Sequence, residues 1–172
     1  AGTCSVMGTA STMACISEVM GLSLTDSSCV PAVYSERLNI AEKTGVICAK
    51  IARKKIKKIK KINKQDIYNA LVCLLSLGGS TNAIIHLTAI AGRLGIKVDL
   101  REFNKISNKT PVLVDLKPTG KFYMEDFYHA GGMKALLKEL KPLLKLGTSN
   151  IEGKSLSTII NSNSKSFHDQ NV

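Results

Sequence analysis

Residues 67–77 are almost all apolar, and this segment restricts what the chain can fold into more than any other. Asn63 and Asp66 precede it at the spacing of a helix capping box, and two glycines follow it as a stop signal. A helix that is apolar on all its faces has to be buried by its neighbours. The sequence therefore predicts a helix-rich domain around this segment, with Cys73 in its core.

The rest of the chain carries further patterns that fit such a domain. Its 172 residues suffice for one domain with a hydrophobic core. Gly45 lies where the longest predicted helix, residues 32–62, can break. His86 falls on the apolar side of its own helix, so we expect it to be a core histidine. Helices are predicted at residues 5–20, 32–62, 80–94, 99–107, 123–129 and 133–146, the last bent or ended near Pro142, and one strand at 111–116. Residues 151–160 are predicted as a turn followed by a short helix.

The positive charge is concentrated in one segment. The net charge is +11, and most of the excess lies in residues 50–64, where isoleucines recur between lysines. This pattern is typical either of a helix that binds nucleic acid or a membrane surface, or of a solvated helix face. The run has no aromatic side chain to stack on bases, which favours the solvated face. No apolar run is long enough to span a membrane, and no secretory leader is recognisable.

Cys4 stands out among the five cysteines because Gly2 and Thr3 precede it. A glycine permits a tight turn and a threonine can cap a helix, which would place Cys4 at or near a helix N-terminus. The partial positive charge there stabilises a thiolate that binds metal or attacks an electrophile, although such a cysteine can also be a small packing residue. The others show no CxxC pair or zinc spacing and indicate a reducing compartment: Cys15, Cys29, Cys48 and Cys73.

Two polar motifs leave alternatives open. In residues 78–80, Gly-Gly-Ser, the free N–H groups could hold a carboxylate or phosphate, or the glycines could serve close helix packing. Glu125, Asp126 and His129 could form a metal or acid–base cluster, or a helix cap beside a surface histidine. Adjacent carboxylates point in different directions on a helix, which favours the cap.

Three stretches together resemble the dihydroxy-acid and sugar-acid dehydratase (IlvD/Edd) family. Residues 2–13 (GTCSVMGTASTM) are similar to the third cysteine motif of that family, and residues 78–87 (GGSTNAIIHL) to its central glycine motif. Residues 115–120 (DLKPTG), followed by YMED at 123–126 and Gly-Gly at 131–132, resemble a later motif. Their order and spacing agree with the family over about residues 1–160.

The resemblance implies a dehydratase that converts a 2,3-dihydroxy acid or sugar acid to a 2-keto-3-deoxy acid. In this family three cysteines hold an iron–sulfur cluster, [2Fe–2S] or [4Fe–4S], whose open iron acts as a Lewis acid on the departing 3-hydroxyl. Mg²⁺ binds the substrate carboxylate and 2-hydroxyl, and a serine removes the C2 proton. Cys4 matches the third cluster cysteine and is thereby assigned as a metal ligand. No catalytic residue is assigned within this chain.

The resemblance also implies that the chain is an incomplete and inactive fragment. It has no counterparts of the two upstream cluster cysteines, the acidic magnesium ligands, a later glutamate ligand or the catalytic serine of the family. The implied fold is α/β and helix-rich, the later part of the layered α/β N-terminal domain. Residues 1–146 would belong to that domain, 147–160 would link it to a missing C-terminal domain, and 161–172 would form a polar tail.

The same resemblance suggests a substrate branch and a cellular setting. Residues 2–13 and 118–127 resemble the sugar-acid (pentonate) branch slightly more than the alternative, the branch that makes branched-chain amino-acid precursors. Outside the family, the alternative is a basic helical module that binds nucleic acid. The family implies a cytoplasmic protein, organellar in a eukaryote, that acts as a full-length homodimer on a small dihydroxy acid or sugar acid without a membrane.

Overall fold

A computed structural model describes residues 4–56, 60–162 and 171–172 of the chain. Within them, α-helices follow one another in the predicted order. They are α1 (Thr9–Val19), α2 (Ser35–Ala52), α3 (Lys64–Ser76), α4 (Asn82–Arg93), α5 (Leu100–Ser107), α6 (Met124–His129), α7 (Gly132–Glu139) and α8 (Leu156–Asn161). The helix-rich prediction is confirmed, and the layered α/β architecture stays a prediction.

Helix α3 lies in the middle of the core, as its apolar sequence predicts. The capping box is present: Asn63 Oδ1 accepts from the N–H of Asp66 at 3.3 Å, and the N–H of Asn63 donates to Asp66 Oδ2 at 2.9 Å. Ala70, Val72 and Cys73 are completely buried, and α1, α4 and α5 pack against this helix. Tertiary packing of this kind supplies most of the stability of a short helix.

The two glycines after α3 have different roles. Gly78 turns the chain with a φ of +55°, a left-handed conformation that favours glycine. A Cβ at Gly79 would lie 2.8 Å from Thr12 Cγ2 of α1 and 2.8 Å from Leu74 Cδ1 of α3. The missing side chain of Gly79 therefore permits the close contact between the start of α4 and these two helices.

Helix α2 is shorter than predicted for residues 32–62. It runs through Gly45 without interruption and ends at Ala52, after which Lys54 adopts a left-handed φ of 55°. No residue of α2 is buried. A glycine within a helix costs about 1 kcal/mol relative to alanine, which is too little to break a helix whose other residues favour it.

The basic segment at residues 50–64 is only partly a solvated face. Residues 57–59 lie outside the described residues. Next to them, Lys60 Nζ donates to Asp66 Oδ1 at 2.6 Å, and the two side chains are only 3% and 0% exposed. The interpretation of this run as solvent-facing is therefore wrong for Lys60, because the buried carboxylate of Asp66 draws in a cation to balance its charge.

The predicted strand at residues 111–116 is wrong. The N–H of Leu113 donates to the carbonyl of Ser76 at 2.9 Å, and that of Asp115 donates to the carbonyl of Val172 at 2.7 Å. The segment therefore bonds to a helix end and to the chain end. The described parts of the chain contain isolated bridges but no regular strand. β-Propensity favours an extended backbone, but a strand forms only where a second strand lies alongside.

The prediction of a core histidine at residue 86 is also wrong, since His86 is exposed. The buried positions of α4 are Ala83, Leu87 and Ala91, which recur every four residues. His86 precedes Leu87 by one residue and therefore points about 100° away from the buried stripe.

The C-terminal part of the described chain packs on the helical core. Asn69 of α3 is completely buried; its side-chain oxygen accepts from the N–H of Lys145 at 2.8 Å, and its amide donates to the Lys145 carbonyl at 3.0 Å. Beyond this point α8 packs against α7. The role of residues 147–160 as a link stays a prediction, and most of the predicted tail at 161–172 lies outside the described residues. Among the described helices, none combines the length and apolarity that a membrane crossing requires.

We predict that Gly79→Ala destabilises the protein by about 1–3 kcal/mol, because the new methyl group would overlap Thr12 and Leu74. The matched control is Gly45→Ala, whose Cβ would meet no atom within 4 Å inside α2. This control should be neutral or stabilising by up to about 1 kcal/mol. Urea unfolding midpoints measure both changes. Equal effects of the two substitutions would contradict the packing role of Gly79.

Candidate functional site

The loop that carries Cys4 is held by backbone hydrogen bonds to the later motif, residues 115–120 and 123–126. The N–H of Met7 donates to the carbonyl of Lys117 at 2.8 Å, and the N–H of Met124 donates to the carbonyl of Ser5 at 2.9 Å. These two hydrogen bonds lie on the two sides of a short turn within the later motif. The position of Cys4 relative to α6 is therefore fixed by main-chain atoms.

The turn that presents Lys117 requires a glycine. A Cβ at Gly120 would lie 2.3 Å from the carbonyl carbon of Asp115, closer than atoms can approach. The N–H of Gly120 donates to the Leu116 carbonyl at 2.9 Å, and the N–H of Phe122 donates to the Asp115 carbonyl at 3.0 Å. Gly120 of the later motif thus permits the tight turn that supports the Cys4 loop.

Side-chain hydroxyl groups connect the glycine motif, residues 78–87, to the cysteine motif, residues 2–13. Thr9 Oγ1 lies 2.9 Å from Ser80 Oγ, and the side-chain amide of Asn82 donates to Thr9 Oγ1 at 3.0 Å. The N–H of Ser80 donates to Thr12 Oγ1 at 3.1 Å. The N–H groups of residues 78 and 79 bond to carbonyls of α3. Because these donors are occupied, the geometry favours the packing interpretation of the double glycine over an anion site.

Cys4 lies in a loop, since α1 begins at Thr9 with Gly8 as its N-cap. The predicted helix start at residue 5 is therefore wrong, and the predicted cap Thr3 lies outside the described residues. The thiol of Cys4 is free and half-buried, and its Sγ lies 3.8 Å from where a Cβ on Gly8 would be. The thiol is thus next to the start of α1, as expected, but it is carried there by the loop.

Cys4 opens onto a cavity of about 390 Å³. One wall consists of α1 and the loop that follows it, and the other consists of the start of α6. Arg37 fixes the loop wall by donating to the carbonyls of Ser27, at 2.8 Å, and Val30. Polar side chains that line the cavity include Ser11, Ser17, Ser23, Ser27, Ser28, Arg37, Tyr123, Glu125 and Asp126.

A buried carboxylate anchors the loop wall. Glu18 Oε1 accepts from the N–H of Asp26 at 2.8 Å, and its Oε2 accepts from the N–H and the hydroxyl of Ser28 at 2.9 and 2.6 Å. Burial raises the pKa of Glu18 to about 7, and these hydrogen bonds oppose the shift. Glu18 could not be identified from the sequence, because nothing in its local pattern shows that a loop will fold over it.

Two buried cysteines, Cys29 and Cys73, resist ionisation. A hydrogen bond with the Cys15 thiol, together with burial, raises the pKa of Cys29 well above its usual value. Burial likewise raises the pKa of Cys73. Cys29 also lines the cavity, so it is a buried wall residue, whereas Cys48 is exposed on α2. A thiol that resists ionisation is a poor metal ligand, so Cys4 is a better candidate than Cys29 or Cys73.

The acidic motif at the start of α6 divides between two roles. Asp126 Oδ2 accepts from the N–H of Tyr123 at 2.7 Å, which is the predicted helix cap. Glu125 and His129 instead meet the hydroxyl of Tyr34, at 2.5 Å from Glu125 Oε1 and 3.1 Å from His129 Nε2. The hydrogen bond to Glu125 raises the pKa of Tyr34. In the described residues no three His, Cys, Asp or Glu side chains are grouped as metal ligands.

We predict that Glu18 makes the stability pH-dependent. Its pKa is about 7 in the folded chain against 4.5 without burial, so stability falls as pH rises through this window. The loss approaches about 3 kcal/mol, at about 1.4 kcal/mol for each pKa unit. Glu18→Gln should remove this slope, and Glu42→Gln, at an exposed position of α2, should keep it. Urea unfolding at pH 5 and pH 8 measures the slope, and an unchanged slope in Glu18→Gln contradicts the prediction.

Comparisons with known proteins agree with this arrangement of motifs. A family profile, dihydroxy-acid/6-phosphogluconate dehydratase N-terminal, matches residues 1–159. The dihydroxy-acid dehydratase of Thermodesulfovibrio yellowstonii is 48% identical over 141 residues, which are 82% of this chain and 26% of the relative. Those of Caldicellulosiruptor saccharolyticus and Ruminiclostridium cellulolyticum are 43% and 41% identical over 157 residues, 90% of this chain and 28% of each relative.

The chain therefore spans 26–28% of the length of these curated relatives. The match covers all three motif segments that hydrogen bonds join in the fold. Because the profile extends over nearly the whole sequence, the chain belongs to the dihydroxy-acid/6-phosphogluconate dehydratase family.

Proposed function

We propose that this chain is part of a dehydratase that removes water from a 2,3-dihydroxy acid, and that Cys4 is one ligand of its iron–sulfur cluster. The observation that carries the proposal is the convergence of the other two family motifs on the cysteine motif, residues 2–13. Two backbone hydrogen bonds and a hydroxyl network join them. The thiol of Cys4, within the cysteine motif, is free and opens onto a cavity.

The donor chemistry at Cys4 fits one position of such a cluster. Iron–sulfur clusters are held by thiolates, and Cys4 is the cavity cysteine whose thiol is not buried in the core. The cluster, when bound, supplies an open iron as a Lewis acid for the departing hydroxyl. The described residues offer no group of three metal ligands. The other cluster ligands and the magnesium ligands would come from the part of the relatives that this chain does not span.

The residues of this chain would then hold and shape one side of the active site. Main-chain bonds to Lys117 and Met124 fix the Cys4 loop, so the thiol keeps one position during the reaction. Glu18 and Arg37 hold the facing loop, which closes the cavity from the other side. A preorganised wall of this kind costs no rearrangement when substrate binds.

We further propose that the substrate belongs to the branched-chain dihydroxy acids. The motif sequences at residues 2–13 and 118–127 slightly favour the sugar-acid branch. Curated relatives that are 41–48% identical are named dihydroxy-acid dehydratase, and their agreement extends over 82–90% of this chain. For the choice of substrate branch, sequence identity over that length is stronger evidence than the sequences of two short motifs.

The ligand role of Cys4 is tested in the full-length protein. Cys4→Ser should lose most of the iron and acid-labile sulfide, since a hydroxyl is a much weaker ligand for iron than a thiolate. The matched control is Cys48→Ser, at an exposed cysteine on α2, which should keep both. Metal and sulfide analysis of the purified proteins measures the effect. Unchanged iron and sulfide in Cys4→Ser would rule out this ligand.

The substrate branch is tested by comparing kcat/KM for a branched 2,3-dihydroxy acid and for a pentonate. We expect the branched acid to be preferred by at least about tenfold, the scale on which pockets discriminate small apolar groups. Formation of the 2-keto acid can be followed with a carbonyl reagent. A preference for the pentonate would assign the protein to the sugar-acid branch instead.

A further inference from the structure

Helix α1 presents a face of small side chains to the Cys4 cavity. Ala10, Ser11, Ala14 and Ser17 border the cavity, and steps of three or four residues place them on one side of the helix. Side chains of this size leave open the space that longer ones would fill. Small residues alone do not select a ligand, because selection also requires a polar group that is free to bind it.

Ser11 supplies such a polar group. The residue is only 7% exposed, and its hydroxyl has no hydrogen-bond partner in the described part of the chain. Every fully enclosed side-chain nitrogen or oxygen among the described residues has a partner. The unpartnered oxygen of Ser11 is therefore not fully enclosed, and the opening that Ser11 borders is the cavity.

Neighbouring hydroxyl groups are engaged with the protein itself. Thr12, the next residue of α1, accepts from the N–H of Ser80 with its Oγ1 at 3.1 Å. In the loop that follows α1, the hydroxyl of Ser28 donates to Glu18 Oε2 at 2.6 Å. Among the described residues that line the cavity, Ser11 thus keeps a buried hydroxyl free for another molecule.

The Ser11 hydroxyl also lacks the bond that a helical hydroxyl can make to its own backbone. Such a group often donates to the carbonyl four residues earlier. Thr44 of α2 and Thr88 of α4 do so, each at 2.7 Å. Because Ser11 makes no such bond among the described residues, its hydroxyl keeps its capacity both to donate and to accept. This double capacity is the one that matches another hydroxyl group.

We propose that Ser11 hydrogen-bonds a hydroxyl group of the substrate in the Cys4 cavity. The proposal rests on the dehydratase function proposed above. The small side chains of Ala10 and Ala14 leave room for the carbon chain of the substrate beside this bond. A carboxylic acid without the hydroxyl would leave the buried Ser11 group unpaired, so Ser11 selects hydroxy acids over plain carboxylic acids.

Ser11→Ala in the full-length holoenzyme tests this contact. We expect KM for a branched 2,3-dihydroxy acid to rise by about five- to tenfold, the scale of one neutral hydrogen bond, with kcat changed by less than about twofold. The matched control is Ser107→Ala, a hydroxyl on α5 that also has no partner among the described residues and does not line the cavity. It should keep both constants. An unchanged KM in Ser11→Ala, or equal increases in the two variants, would overturn the contact.

Urea unfolding and iron analysis distinguish a substrate contact from a structural role. Since the Ser11 hydroxyl has no partner in the described residues, Ser11→Ala should keep the unfolding midpoint of the substrate-free protein and its iron content. A lower midpoint or a loss of iron would show that Ser11 supports the fold or the cluster, and would overturn the proposal.

A binding measurement does not depend on turnover. Calorimetry gives Kd of the full-length protein for a branched 2-hydroxy acid, the matching 3-hydroxy acid and the carboxylic acid that lacks both hydroxyls. Ser11→Ala should weaken at least one hydroxy acid by about five- to tenfold and leave the plain acid unchanged. Equal changes for all three would overturn the contact. If the wild-type enzyme dehydrates no dihydroxy acid while this selective loss is observed, the proposed function fails and the hydroxyl-binding site stands.

Discussion

The contact between Gly79 and helices α1 and α3 is the constraint on which the rest of the structure depends. A methyl group at this position would lie 2.8 Å from Thr12 and Leu74, so the two helices could not keep their spacing. The close contact also brings the N–H of Ser80 to the hydroxyl of Thr12. The glycine motif and the cysteine motif are therefore one structural unit, although more than sixty residues separate them.

From this unit the site is built mostly with main-chain atoms. The loop that carries Cys4 bonds to Lys117 and Met124 through backbone groups, and the turn between them needs Gly120 because its backbone passes so close to Asp115. Backbone hydrogen bonds hold a position more firmly than long side chains, which lose rotamer entropy when they are fixed. A cysteine placed in this way has its position fixed by the fold.

Two buried carboxylates show how this small domain secures its loops. Asp66 is neutralised by Lys60 and accepts from the Asn63 N–H, which ties the segment before α3 to the core. Glu18 accepts three hydrogen bonds, none of them from a cation, and burial raises its pKa to about 7. The first is a charge-balanced pair, whereas the second makes the cavity wall sensitive to pH near neutrality.

The sequence by itself determined the features that depend on neighbouring residues. The apolar run at 67–77, its capping box at Asn63 and the three family motifs could all be read from local pattern and spacing. The helix start at residue 5, the strand at 111–116 and the core position of His86 were wrong. Each of these depends on which partner the segment meets, and a local pattern does not contain that information.

Only the tertiary structure decided how the site is assembled. Tyr34 hydrogen-bonds to Glu125, which is 91 residues away in sequence. Glu18 accepts hydrogen bonds from a loop whose sequence does not indicate this contact. The packing role of Gly79 is likewise favoured over anion binding because acceptors on neighbouring helices occupy the N–H donors of residues 78–80. The physical reason is the same in each case. Hydrogen bonds and packing contacts are short-ranged, so their partners are fixed only when the chain has folded.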